Sequence, residues 1–369
     1  MNDDSQLANL GLEVAVGDID RQLVRLFNGD SETESTGRTG MARASLLNLA
    51  VYSEDPSKAP ELSGAIEGLT NETACRAILI LADPSGSPSV RSWIQAHCRL
   101  SDQGEKTVCT EQVSFLLSGA DASLVRNTVF AHLDSDLPLV FWWRGELSDV
   151  FEDRLYSRVD RFIFDSGSWR QPATQLLRLQ KAIEESGGGF VCHDLAYTRC
   201  HPVRSAIARV FDDPLARRAL DRISGFEIVH HPGHRLSALW LIAWIAGRLG
   251  GRLSKEPTSA KDRFEIECPE WNTLTLTCRE EDSPDPHQPE AIGKVEIQLG
   301  SAGRISIQQA PDSGFWRVTQ SLTDTPERQR LFPGHSRTDS DLIGEILVRA
   351  GRNRAMADAL PILRQLAVR

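Results

Sequence analysis

The run "CRAILILAD" at residues 75–83 decides the fold. It is apolar without a polar alternation from Ala77 to Ala82, so both of its faces are buried. That pattern marks a strand inside a parallel sheet covered by helices on both sides. Two runs of the same kind follow, "LPLVFWW" at 137–143 and "RFIFDS" at 161–166. The stretches between the strands are amphipathic. Residues 121–133 read as a helix, and Ser148 is placed to cap another that runs to about Val159, with Phe151, Leu155 and Val159 on one face. Pro172 opens a third helix, with Leu176, Leu179 and Ile183 aligned, and Gly187 closes it. Upstream, "RASLLNLAVYS" (43–53) reads as a strand and "PELSGAIEGLT" (60–70) as a helix with Pro60 near its start. Two alternating segments, 90–100 and 107–117, are joined by "SDQGEK" and read as a hairpin. The first half is therefore α/β, with a mostly parallel, Rossmann-like sheet and one inserted hairpin.

The second half changes character. "DLAYTRCHPVRSAIARVFDDP" (194–214) reads as loop then helix, "SGFEIVHH" (224–231) as a strand, and 235–249 as a helix apolar nearly all round. Five short strands follow, at 263–268, 273–279, 293–299, 303–309 and 314–320, broken by the charged, Pro-rich "REEDSPDPHQPE". Two helices come last, near 340–350 and 353–367. The expected organisation is an N-terminal helix (18–27) and flexible linker within 1–40, an α/β domain over 41–189, and an α+β C-terminal domain over 190–369 built on an antiparallel meander.

A chain of 369 residues can hold two domains with cores of their own. Its net charge of −10 disfavours nucleic acid and anionic membranes as partners. The longest apolar run, "ALWLIAWIA" at 238–246, is too short for a bilayer, which needs roughly 20 residues. The first residues lack the basic start and apolar core of a secretion signal, so a cytoplasmic location is expected. There the seven cysteines, which lack C-x-x-C spacing, are expected to be mostly reduced and buried.

The search for chemistry returns fragments. No G-x-G-x-x-G or P-loop sequence follows a strand, and the glycine cluster 187–189 follows a helix instead. "HHPGH" (230–234) lacks the helical spacing of a zinc site, and reads as a turn. "CHDLAYTRCH" (192–201) carries two Cys-His pairs without the spacing of a zinc ribbon. Phe264, Ile266 and Cys268 share one strand face; Leu274, Leu276 and Cys278 share another. Pairing those faces puts Cys268 opposite Leu274 and Cys278 opposite Phe264, with the two sulfurs at opposite ends. Cys98 and Cys109 differ: one register of their hairpin sets them directly opposite, with Ile94 facing Val113, which makes them a candidate redox pair. No G-x-S-x-G elbow exists, and "DSGSW" (165–169) offers one carboxylate and two hydroxyls at a strand end, too little to name a reaction. No cofactor or metal ligand set is expected. What remains is a group of residue types enriched at protein–protein hot spots: Trp142, Trp143, Arg144, Tyr197, Arg199 and Arg204. Adjacent tryptophans on a strand point to opposite faces, so the pair serves either packing or a partner.

The blocks "CRAILILADPSGSP", "TVCTEQVSFLLSG", "LPLVFWWRGEL", "DRFIFDS", "DLAYTRCHPVRSAIARVFDD" and "SALWLIAWIAGRLG" occur in the order seen in the glucose-6-phosphate dehydrogenase assembly proteins, the OpcA family. The chain resembles that family specifically over residues 41–250 and more weakly to about 350. It departs at Thr110, where a serine is usual, at Tyr197, where tryptophan is usual, and over the first 40 residues. The resemblance implies a non-enzymatic partner of glucose-6-phosphate dehydrogenase that assists its assembly or activates it allosterically, at the entry to the oxidative pentose phosphate pathway. It supplies no catalytic residues. The alternative is a sugar-phosphate- or nucleotide-binding enzyme or sensor that uses Arg144, Asp165, Ser166 and Ser168 at the strand ends.

Overall fold

A computed structural model describes residues 7–28, 41–43, 45–100, 107–119, 121–187, 189, 191–254, 262–269, 273–282, 290–310, 314–323, 325–334, 338–348, 351 and 353–368. The linker 29–40, the hairpin loop 101–106 and most of the Pro-rich loop lie outside these residues.

The chain forms two compact units, neither continuous in sequence. The first comprises Met1–Asp165, Arg178–Cys192 and Asp339–Gly351; the second comprises Ser166–Leu177, His193–Thr338 and Arg352–Arg369. The units thus exchange segments on both sides of residue 189, where sequence composition suggests a single boundary.

The first unit is built on nine strands: β1 (Leu12–Val14), β2 (Met41–Arg43), β3 (Leu47–Ser53), β4 (Cys75–Asp83), β5 (Ser89–Leu100), β6 (Thr107–Ser118), β7 (Leu139–Arg144), β8 (Arg161–Phe164) and β9 (Val191–Asp194). Their order is β1-β5-β6-β4-β3-β7-β8-β9, with β2 paired to β6. The pairs β6–β4, β4–β3, β3–β7 and β7–β8 are parallel. The hairpin β5–β6 and the edge strand β1 are antiparallel. The sheet is α/β and mostly parallel, as its continuous apolar runs predict. Every residue of β3 is buried, and β4 is buried throughout except at Arg76 and Asp83, because both strands lie in the sheet interior.

Helix Ala59–Glu72 carries the chain from β3 to its parallel neighbour β4. Helix Asp339–Val348 packs beside it, and the Ser340 hydroxyl donates to the Ala65 carbonyl at 3.2 Å. The helix expected from Ser148 to Val159 shrinks to one turn, Asp153–Tyr156. Phe151, Leu155 and Val159 are buried as the pattern requires, yet a turn closed by Phe151 N–H on the Ser148 carbonyl replaces the first half of that helix.

The second unit holds eight strands: β10 (Gly225–His230), β11 (Arg252–Leu253), β12 (Arg263–Glu267), β13 (Leu274–Glu280), β14 (Ile292–Gln298), β15 (Gly303–Gln309), β16 (Phe315–Leu322) and β17 (Arg328–Pro333). Their order is β11-β12-β13-β10-β14-β15-β16-β17. The strands from β14 to β17 form an antiparallel meander, which gains β17 and lacks the expected continuation to β12 and β13, because β13 and β14 both pair with β10 and not with each other. β10 enters the middle, antiparallel to β14 and parallel to β13, the one parallel pairing of this sheet among the described residues. Burial alternates along β12, β13, β15 and β16, so one face is apolar and the other polar. Helix Arg235–Arg248 is buried over most of its surface, as its all-round apolarity predicts.

Candidate functional site

The order of the first sheet reverses at β3 and β7: the chain proceeds through β4 and β6 on one side and through β7 and β8 on the other. In open α/β sheets the crevice beyond the carboxyl ends of the strands at such a reversal is where ligands bind. The paired residues at that point are Ser53 and Arg144.

The turn after β3 runs Ser53-Glu54-Asp55-Pro56-Ser57-Lys58 into helix Ala59–Glu72. A dinucleotide site needs glycines here, so that backbone N–H groups can approach a pyrophosphate. Carboxylates stand there instead. Tyr52 donates its hydroxyl to Glu54 at 2.7 Å, and burial together with Glu54 raises the phenol above its usual range. Asp55 accepts from the Ser57 N–H at 3.1 Å, closing the turn. Glu61, in the first helical turn, takes the position the helix dipole favours for an anion. Arg144 then joins Glu61 at 2.9 Å to Asp339 at 2.7 Å, tying two helices of this unit to the end of β7. An incoming phosphate would meet Glu54, Asp55 and Glu61, with the guanidinium already engaged. The crevice is therefore ill-suited to a dinucleotide.

The tryptophan pair divides between the sheet faces. Trp143 is fully buried among Tyr52, Phe141, Phe151 and Phe162, with ring centroids 4.4, 6.0, 5.9 and 6.2 Å away. Its indole N–H donates to the Glu146 carbonyl at 3.0 Å. Trp142 is buried on the other face, and the Arg144 guanidinium lies 5.5 Å from its ring centroid. Both rings pack the sheet, while Arg144 stays partly exposed at 19%.

Tyr197, Arg199 and Arg204 belong to the second unit and form a separate group. Helices Leu195–Arg199 and His201–Val210 carry them. Tyr197 and Arg204 are buried, with the guanidinium 3.6 Å from the phenol ring centroid and donating to the Tyr197 carbonyl. Burial raises the Tyr197 hydroxyl, and the Arg204 charge opposes that shift. Arg199 is half-buried. The sequence search did not single out the residue that organises this region, Asp194. It is fully buried; one carboxylate oxygen accepts from the Ser166 N–H at 3.0 Å and the Ala196 N–H at 2.9 Å, and the other from the Trp240 indole at 2.7 Å. It is the N-cap of helix Leu195–Arg199, and an Asp directly before that helix is the signal the sequence offered. The six aromatic and arginine residues are thus split between two units, and four of them are buried.

Cys98 and Cys109 face each other across the hairpin, and Ile94 faces Val113. Their sulfurs are bonded, with Cα atoms 4.1 Å apart. Cys109 is buried and Cys98 exposed. Cys75, Cys192, Cys200, Cys268 and Cys278 are buried and carry no disulfide, and burial pushes the Cys200 thiol up to about 12. In the hairpin of β12 and β13, Ile266 faces Leu274 and Phe264 faces Leu276, a register two residues from the one read in the sequence. Cys268 and Cys278 remain at opposite ends of it.

Ser166 is buried and spends its N–H on Asp194; Asp165 is buried and Ser168 exposed. Among the described residues no three His, Cys, Asp or Glu side chains are arranged to hold a metal ion. A cleft of about 300 Å³ in the first unit is lined by Phe151, Tyr156, Arg178, Lys181 and Glu185, among others. Within it Glu185 accepts from the Tyr156 hydroxyl at 2.6 Å and pairs with Lys181 at 3.6 Å.

Comparison with known proteins gives a consistent result. Residues 67–181 match the family described as the glucose-6-phosphate dehydrogenase subunit N-terminal domain, and residues 191–360 match the corresponding C-terminal domain. A putative OxPP cycle protein OpcA from Nostoc punctiforme is 29% identical over 180 residues, covering 47% of this chain and 38% of that protein. The match thus spans well under half the length of that relative. Among solved structures, an oxidoreductase domain protein from Kribbella flavida aligns with a TM-score of 0.48 at 11% identity, covering 88% of this chain and 95% of that one. An apo scyllo-inositol dehydrogenase from Lactobacillus casei aligns with a TM-score of 0.40 at 8% identity, covering 87% and 89%. At these scores neither structure bears on chemistry.

Proposed function

The chain belongs to the OpcA family of glucose-6-phosphate dehydrogenase subunits, and we propose that it binds that dehydrogenase and favours its active oligomer without catalysing a reaction itself. The observation that carries this is the family match across both halves of the chain, residues 67–181 and 191–360. The crevice supports it: where a dinucleotide would sit, the chain places Glu54, Asp55 and Glu61 and commits Arg144 to Glu61 and Asp339.

The physical basis is linkage. A protein that binds one assembly state of an enzyme and not the other shifts the equilibrium by its differential affinity. At a free concentration of about 100 times its Kd the shift is about 2.7 kcal/mol, close to a hundredfold in the population ratio. Of the residues singled out from the sequence, Arg144 and Arg199 keep partial exposure and are the ones a partner can reach directly. Trp142, Trp143, Tyr197 and Arg204 act by holding the scaffold.

The test uses the purified chain and its cognate dehydrogenase. Co-elution, a larger mass by light scattering, and a lower apparent KM or a greater tetramer fraction are expected. A pair that elutes separately with unchanged kinetics at micromolar concentrations overturns the proposal.

A further inference from the structure

The polar face of the second sheet is the surface to which no role has yet been given. Across β14, β15 and β16 it presents Lys294, Glu296 and Gln298, then Arg304, Ser306 and Gln308, then Arg317, Thr319 and Ser321, every one of them partly or fully exposed. The whole face, at about 4.8 Å per strand, measures about 35 Å by 20 Å, or about 700 Å². The three strands β15–β17 account for about 300 Å² of it, the centre and not the whole of a standard interface, which takes about 800 Å² from each partner.

The composition of this face is uneven. Over β12 to β14 its cations are paired: Arg279 with Glu227 at 2.8 Å and Lys294 with Glu296 at 2.9 Å. Over β15 to β17 they are not. Arg304 and Arg317 have no ion-pair or hydrogen-bond partner among the described residues, in a chain whose net charge is −10. Beside them lie two exposed apolar side chains. Phe315 faces Pro333 and Arg317 faces Leu331, so Phe315 and Leu331 are diagonal neighbours on the same face, 40% and 58% exposed. Apolar groups so placed cost solvation until something covers them.

We infer that the β15–β17 half of this face is a docking surface for the dehydrogenase, through a patch on the enzyme with an apolar centre and flanking carboxylates. This rests on the function proposed above and assigns its contact residues: Phe315 and Leu331 enter the apolar centre, and Arg304 and Arg317 meet the carboxylates. Register sets the spacing. Arg304 faces Ser321 and Arg317 faces Gln308, so the two arginines are offset by four residues along neighbouring strands, roughly 14 Å. The complementary carboxylates lie about that far apart.

A second copy of this chain is the poorer occupant. A two-fold axis through the patch brings Arg304 and Arg317 against their own counterparts. Edge-to-edge pairing through β17 meets Arg328, Arg330 and Pro333, residues that discourage strand addition.

The experiment compares the wild-type chain with two double variants, Phe315→Ala with Leu331→Ala, and Arg304→Glu with Arg317→Glu, in titrations against the dehydrogenase at 50 and 500 mM salt. Circular dichroism and thermal melts establish that each variant is folded. The apolar pair is expected to weaken binding at least tenfold, and the charge reversal about a hundredfold at low salt. Wild-type affinity falls with salt, and the reversed variant loses that fall. If the wild type binds and both folded variants bind as well, this assignment is wrong and the proposed function stands. If the wild type does not bind at all, the function and this inference fall together. A wild-type chain that dimerises alone through these residues, scored by light scattering, also overturns it.

Discussion

Replacing Trp143 by alanine separates a packing role from a contact role. The side chain is fully buried among Tyr52, Phe141, Phe151 and Phe162. Truncating a buried tryptophan costs about 3–5 kcal/mol in lost transfer energy and cavity formation. The indole N–H is lost too, which strands the Glu146 carbonyl and adds about 1 kcal/mol. The expected total is about 4–6 kcal/mol, a large part of the 5–15 kcal/mol typical of a folded domain. With a urea slope of about 3 kcal/mol per molar, the midpoint falls by about 1.3–2 M. Trp143→Phe keeps most of the apolar volume and loses the hydrogen bond, so its midpoint lies between the two. Both are read by circular dichroism in urea, alongside titration with the dehydrogenase. The reasoning fails if Trp143→Ala melts within about 0.3 M of wild type yet no longer binds the enzyme, because that outcome makes the ring a contact.

Three further outcomes are expected. Reducing the Cys98–Cys109 bond, which closes a loop of sequence separation 11, lowers stability by about 3 kcal/mol through unfolded-state entropy; melts with and without dithiothreitol, with Cys98→Ser as the control that must not respond to reductant, measure it. Burial is the first cause that holds His132 and His231 below their ordinary range, so both are neutral when folded while the unfolded chain binds protons more readily. Stability is then full above the unfolded value near 6.5 and declines as pH falls from there through the folded values; a urea midpoint that rises between pH 7.5 and 5.5 contradicts this. Gly293→Ala places a methyl group 2.7 Å from the His231 ring, and so costs about 1–3 kcal/mol by overpacking; an unchanged melting temperature shows that the ring moves freely.

The parts of the fold that were legible in the sequence share a physical reason. β4, β7 and β8 lie in a sheet interior, so their apolar runs admit no other placement. The hairpin β5–β6 was legible as two alternating segments, while its register, left open by the sequence, is the one that sets Cys98 opposite Cys109. What escaped depends on long-range partners. Arg144 looks like an exposed hot-spot residue until Asp339, 195 positions away, is seen to hold it. Asp194 resembles any loop carboxylate, since nothing local announces that Trp240 will bond it. Trp142 and Trp143 show in the sequence only that they face opposite ways; which neighbours cover them is a tertiary fact. The turn that replaced the start of the Ser148 helix has the same origin. A stretch with aligned Phe151, Leu155 and Val159 satisfies burial equally well in one turn as in three.

The order in which the chain is made has a consequence for the first unit. Its sheet is finished by Cys192, but its last piece, Asp339–Gly351, emerges about 150 residues later. At ribosomal speeds of about 5–20 residues per second, that is a wait of about 7–30 s. During it Ala65 has no Ser340 to accept from, Arg144 has only Glu61, and the flank that helix Asp339–Val348 will cover stands open. A product cut short before residue 339 stays in that condition permanently, however complete its parallel sheet.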